Sequence, residues 1–126
     1  MGLFGRKPRS LARRGEDAAA RYLRRQGYCI LDRNVRLGRY EIDIIARDGD
    51  TIAFVEVKAR HSDDPVDPVD NVDEIKQRHI RRAAHLYIVR DNDPDRYYRF
   101  DIVTVVVADK GKPAITLYKD AFQDEA

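Results

Sequence analysis

Apolar and polar positions along this chain follow two periods. Over residues 10–26 Ala18, Ala19, Tyr22 and Leu23 recur at helical spacing, and Gly27 stands where a helix terminates. Strand-like alternation follows over 28–35, 40–46 and 51–59. The dipeptide Asp48-Gly49 between the last two predicts a two-residue hairpin loop, because glycine tolerates the positive φ such turns need. A second helix is predicted to start at a capping box, Asn71 with Glu74, and to run to about Arg90, with Ile80, Ala83, Ala84, Tyr87 and Ile88 as its apolar stripe. After "DNDPD" come a valine-rich strand over 97–108, the turn "DKGKP" and a short strand over 114–118.

Helix, three strands, helix, two strands predicts an α/β sandwich with a mixed sheet: a three-strand meander, then a helical crossover. A length of 126 residues suits one core. The division expected is a flexible basic arm over 1–9, one domain over 10–120 and a tail over 121–126. Within the domain "HSDDPVDPVDNVDE", residues 61–74, reads as a mobile acidic loop.

The hairpin is where the pattern turns chemical. A loop made of Asp48 and Gly49 sets Asp43 opposite Phe54, Glu41 opposite Glu56 and Arg39 opposite Lys58. Alternation then puts Glu41, Asp43, Ile45, Ile52, Phe54, Glu56 and Lys58 on one face, and Ile42, Ile44, Ala46, Thr51, Ala53, Val55 and Val57 on the other. The first face is apolar near the turn and acidic beyond it, so a helix is expected to cover it. Asp43 and Glu56 become diagonal neighbours, about 7–8 Å apart at the backbone and within joint reach of one small ion. Like charges beside a covered apolar patch need a cation, an arginine or a proton to compensate them. The competing reading is the solvated face of an ordinary hairpin.

Glu16 has Ala12, Arg13, Ala19 and Ala20 as helical neighbours, which puts it at the edge of the small apolar face. Two roles stand for it: a third or water-mediated ligand, or a salt bridge to Arg13 or Lys58. Asp17, among Arg13, Arg14 and Arg21, has a solvated pattern.

Charge narrows the class of partner. Residues 1–25 carry eight Arg or Lys against Glu16 and Asp17, residues 75–90 carry five against none, and 61–74 hold six acids and no Lys or Arg. Two basic segments around an acidic one suit a polyanion touched at chosen places, with Arg13, Arg14, Lys76, Arg78, Arg81 and Arg82 as the candidate DNA contacts. Cys29 is the single cysteine, so no internal disulfide forms, and a small buried residue is expected there. "MGLFGRKPRS" lacks a signal-peptide core and no segment reaches a membrane-spanning length, so a cytoplasmic protein without membrane contact is expected. His61, His79 and His85 form no zinc pattern, no glycine-rich phosphate loop indicates a nucleotide cofactor, and Asp101 reads as a structural acid.

Paired carboxylates with a lysine are what metal-dependent phosphodiester cleavage requires: hard oxygens for Mg²⁺ or Mn²⁺, and a cation to meet charge developing on phosphate. Asp43 followed by Glu56-Val57-Lys58 on the next strand resembles the PD-(D/E)xK nuclease superfamily, with its restriction-endonuclease-like fold. "GEDAAARYLRRQGY", "RNVR", "EIDIIARDGDTIAFVEVKAR", "KQRHIRRAAHLY" and "RFDIVTV" together resemble the small bacterial YraN-like family, which is similar to archaeal Holliday junction resolvases; the match spans roughly residues 10–108. The resemblance implies an α/β three-layer sandwich with a mixed central sheet flanked by helices. It implies Asp43 and Glu56 as metal ligands, Val57 as donor of a backbone carbonyl, Lys58 as the catalytic lysine and Glu16 as the helix-one acid. Tyr40 departs from the family, which usually has glycine there. The function expected from the resemblance is a DNA endonuclease acting on branched or damaged DNA in repair or recombination, as a homodimer if it works as resolvases do. No exposed apolar stripe in the sequence demands that dimer. The alternatives are a DNA-binding adaptor with little turnover and a protein-interaction domain whose acids are paired structurally.

Overall fold

The computed structural model describes residues 10–65, 67, 69 and 72–124. The basic arm, Asn71 of the expected capping box, and Val66, Pro68 and Asp70 of the acidic loop lie outside them. The elements are α1 (Leu11–Arg25), β1 (Cys29–Leu37), β2 (Tyr40–Asp48), β3 (Thr51–His61), α2 (Glu74–Asp91), β4 (Tyr97–Val107) and β5 (Ala114–Phe122). Each helix opens on a side-chain cap. Ser10 accepts the Arg13 N–H, and Asp73 accepts the Lys76 N–H at 3.0 Å. The second cap is therefore Asp73.

The five strands lie in the order β1-β2-β3-β4-β5, antiparallel except for β3 and β4, which run parallel and are joined through α2. The mixed sheet is sandwiched between the helices. On one face α1 buries Ala18, Ala19, Ala20 and Leu23 against Ile44, Ala53, Val55, Val103 and Val105. On the other α2 buries Ile80, Ala83 and Ala84 against Ile45, Ile52, Phe54, Phe100 and Phe122. Tyr87 packs its edge on Phe54 at 5.5 Å between ring centres, so it is core. The chain is thus α/β in three layers. No helix among the described residues is long and apolar enough to cross a membrane.

Several details depart from the sequence pattern. The pairs Asp48↔Thr51 and Ile44↔Val55 make Gly49 and Asp50 the loop, one residue later than expected. Gly49 alone has positive φ (64°) among residues 48–50, as in hairpin loops with glycine first. The register therefore moves by two, which preserves the faces of the paired residues, and Asp43 and Glu56 lie just beyond the last pair, Ile44↔Val55. Ile42 does not share the side of Ile44; it joins the α2 cluster. The ribbon turns over at Asn34, whose φ of 53° falls between the pairs Arg33↔Ile44 and Val35↔Ile42. Cys29 is exposed rather than buried. Phe122, assigned to the tail, instead completes β5 and stacks on Phe100 at 4.9 Å. Ile75, Leu86 and Val89 of α2 are exposed, with exposed Arg78, His79 and Arg82 between the first and the other two.

Helix α1 sits close to the sheet because residue 15 is glycine. A Cβ there would lie 2.6 Å from the Ala59 Cβ. Gly15→Val is expected to cost about 1–3 kcal/mol in urea denaturation, the range for overpacking a well-filled contact. A neutral result would mean that α1 lifts freely from β3.

Candidate active site

The acids come together because β2 leaves β3. Their ladder runs from Asp48↔Thr51 only as far as Ile44↔Val55. Beyond it the Val57 N–H has no β2 carbonyl to meet, and the Asp43 carboxylate takes its place, accepting that N–H at 2.8 Å. The N–H and C=O of a strand residue point to the same edge, so the Val57 carbonyl also faces the opened gap. Asp43 is held at the mouth of this split, with Glu56 beside it.

Glu56 is 5% exposed. Burial, a hydrogen bond to Asp43 and the Asp43 charge push its carboxyl up from 4.5 to about 9, while Lys76 and Lys58 pull the other way. Two carboxyls in contact titrate as a unit, so near neutral pH the pair keeps one proton and one negative charge. That remaining charge is what the Lys76 ammonium meets, 3.5 Å from Glu56 Oε2. The folded chain holds a proton that the unfolded chain releases above the ordinary carboxylate range, so this group costs stability as pH rises from about 4.5 toward 9. Glu56→Gln is expected to remove that slope: urea midpoints of metal-free protein at pH 5, 7 and 9 should fall in the wild type and stay flatter in the variant. Parallel curves would contradict the shared proton.

Glu16 approaches from α1. It is buried, and its Oε1 makes no hydrogen bond; the nearest cation is Arg33 Nη2 at 3.8 Å. Burial and the Asp43 charge raise its carboxyl, and Arg33 and Asn34 oppose the shift. Arg33 is instead bound tightly to Asp17 at 2.6 Å, so Asp17 is half-buried and paired rather than solvated. Neither Arg13 nor Lys58 is the partner of Glu16. Lys58 lies half-buried on β3 beside a shallow cleft lined by Leu11, Ala12, Val57 and Ala59.

The donors fit a hard divalent cation. The Asp43 and Glu56 carboxyls lie in contact with burial raising that of Glu56, the Val57 carbonyl faces the same gap, and the Glu16 Oε1 is buried without a hydrogen bond, 3.8 Å from Arg33. Among the described residues no three His, Cys, Asp or Glu side chains are grouped tightly enough to hold an ion by themselves. Glu16 therefore stands outside a direct side-chain set. Mg²⁺ commonly binds through one or two carboxylates and keeps its waters.

The expected DNA contacts divide. Arg13, Arg14, Arg78 and Arg82 are exposed. Arg81 is buried: it donates to Glu74, Gln77 and the Gln123 carbonyl and lies over the Phe122 ring, so it ties α2 to the end of β5 and presents no guanidinium to a ligand. Lys76 belongs to the acid pair. Arg21, Arg25 and Lys112, unmarked in the sequence, line a groove between α1 and the β4–β5 turn, and Arg14 lines the adjoining one.

Asp101, read as structural, is fully buried. It accepts from Tyr28 Oη, from Arg99 Nε and Nη2, and from the Asp120 N–H, all at 2.8–2.9 Å.

The chain is 42% identical over 115 residues to a UPF0102 protein of Caldicellulosiruptor saccharolyticus, covering 90% of this chain and 98% of that one. Likewise it is 44% identical over 112 residues to a UPF0102 protein of Chlorobaculum parvum (89% and 87%), and 42% over 115 residues to one of Geotalea uraniireducens (91% of each). The profile of the Uncharacterised protein family UPF0102, the YraN-like group, matches residues 15–105. With that span and those identities, the chain belongs to the UPF0102 family.

Proposed function

We propose that this protein is a metal-dependent DNA endonuclease of the PD-(D/E)xK type with a restriction-endonuclease-like fold, acting on branched or damaged DNA in repair or recombination. The observation that carries the reading is the split between β2 and β3, which aims Asp43, Glu56 and the Val57 carbonyl into one gap with Lys58 on the same strand. The resemblance of Asp43 and Glu56-Val57-Lys58 to the nuclease motif adds to it.

Each residue has a task in this reading. Asp43 and Glu56 hold Mg²⁺ or Mn²⁺, which supplies when bound a counter-charge for the phosphodiester and a more acidic water. Asp43 is oriented by the Val57 N–H, so its free oxygen is fixed in direction. Lys58 brings a positive charge to where the phosphate gains negative charge. Glu16, whose buried Oε1 makes no hydrogen bond and has Arg33 at 3.8 Å, would accept from a water at the site.

DNA is held by the exposed arginines. Arg78→Ala with Arg82→Ala is expected to weaken binding of a duplex several-fold and to lower the slope of log affinity against log salt by about 1 for each phosphate no longer neutralised. Fluorescence anisotropy over a salt series reads both. An unchanged slope removes α2 from the interface.

A DNA-binding adaptor with little turnover is favoured by one observation: Glu56 is nearly enclosed and already faces Lys76. Incubating branched and linear DNA with the protein and Mn²⁺ separates the two. Cleavage that Asp43→Asn abolishes supports the nuclease, and salt-sensitive binding without cleavage supports the adaptor.

A further inference from the structure

We infer that Lys76 is the resident counter-ion of the acid pair and exchanges with the divalent cation, so that loading the site turns the Lys76 side chain outward. This rests on the reading of Asp43 and Glu56 as metal ligands and adds a regulatory contact to it.

Lys76 Nζ lies 3.5 Å from Glu56 Oε2, and Glu56 is otherwise enclosed by protein. The lysine is only half-buried, so the ammonium reaches inward from a position open to water. Its place on the helix is adverse. Lys76 is the third residue of α2, where the backbone donors and the helix dipole disfavour a cation, and its own N–H is capped by Asp73. A lysine there is not held by its helix. What holds it is the contact with Glu56 across the layer boundary, at 3.5 Å.

An ammonium and a divalent cation cannot both sit against one such pair. Each neutralises the same charge, and each repels the other at close range. The doubly charged ion, with the Val57 carbonyl and Asp43 to share it, prevails when present, and Lys76 turns outward. The contact therefore lowers metal affinity and in its absence keeps the buried acids compensated. Lys58 does not replace it, because Lys58 is anchored on the same rigid strand as Glu56 whereas Lys76 comes from the connecting helix.

Isothermal titration of the full chain with Mn²⁺ alone tests the exchange. Lys76→Met is expected to bind Mn²⁺ about tenfold more tightly than the wild type, and Lys76→Arg to stay close to wild type. Equal or weaker binding by Lys76→Met overturns the inference. A second measurement needs no substitution: lysine acylation of wild-type protein, read by mass spectrometry with and without Mn²⁺. Labelling of Lys76 should rise several-fold on loading while that of Lys110, Lys112 and Lys119 stays constant; a flat or falling Lys76 signal overturns the exchange. If the wild type takes up no Mn²⁺ at all, the metal reading itself falls and this inference with it. If it takes up Mn²⁺ but both Lys76 readouts are flat, the exchange alone falls.

Discussion

Asp43→Asn is expected to lower Mn²⁺-dependent DNA cleavage by about a thousandfold while leaving the fold intact, the scale of losing a principal charge-stabilising group. The asparagine oxygen can still accept the Val57 N–H that Asp43 accepts at 2.8 Å, so the mouth of the β2–β3 split keeps its shape. What disappears is the Asp43 negative charge beside Glu56. Since that charge pushes the Glu56 carboxyl upward, the variant should also unfold no more easily than the wild type at neutral pH. Activity and stability thus move independently, which a misfolded variant cannot imitate. Lys58→Ala should lose about a hundredfold without losing Mn²⁺ binding, because its charge acts on the phosphate and not as a ligand. Gel assays on branched and linear DNA, beside melting curves of each variant, read both effects. Full cleavage by Asp43→Asn would exclude this site as the origin of the activity.

Asp101→Ala carries the largest expected loss of stability, about 3–5 kcal/mol, the range for breaking a buried ion pair from one side. Four donors converge on that carboxylate, and none has a ready substitute. Arg99 would keep only Asp48 at 3.1 Å and the Tyr28 hydroxyl at 2.8 Å, that hydroxyl would lose its acceptor, and the Asp120 N–H would be stranded. The same acid fastens three places: the chain leaving α1 at Tyr28, the β2–β3 hairpin through Arg99 and its ion pair with Asp48, and the kink in β5 where Asp120 has φ 54°. Urea denaturation measures the cost. A loss below about 1 kcal/mol would mean that water enters and satisfies the donors.

Much of this architecture was legible because its elements are amphipathic at a clean period. The stripe of Ile80, Ala83 and Ala84 and the alternation through Ile52 and Phe54 point to α2 and β3 without help from the fold. Apart from Ile42, the faces of the hairpin survived even though its loop was placed one residue early, since a shift of two in register leaves the alternation unchanged. Ile42 escaped because the ribbon reverses at Asn34, an event that lives in one backbone angle. Asparagine is among the few residues that enter positive φ readily, so "DRNVR" carried a weak trace of it. Arg81 was misassigned for a different reason. Charge counts see a basic helix face, whereas burial depends on Gln123 and Phe122, far along the chain and in the segment taken for tail. The partner of Glu56 was equally hidden, although a lysine in the opening turn of a helix, against the local field, was a usable clue.

Strand order in the sheet equals order along the chain, and this governs how the molecule assembles. β1, β2 and β3 can zip by adjacent hairpins with short loop closures, which are quick. Joining β4 to β3 has to wait for 74–91 to coil and swing across, a slower closure of the kind that sets the rate in small α/β chains. The two acids therefore meet early on a hairpin whose compensating ammonium arrives only with the crossover. A nascent chain halted before that helix emerges carries an incomplete sheet and an unbalanced pair of carboxyls.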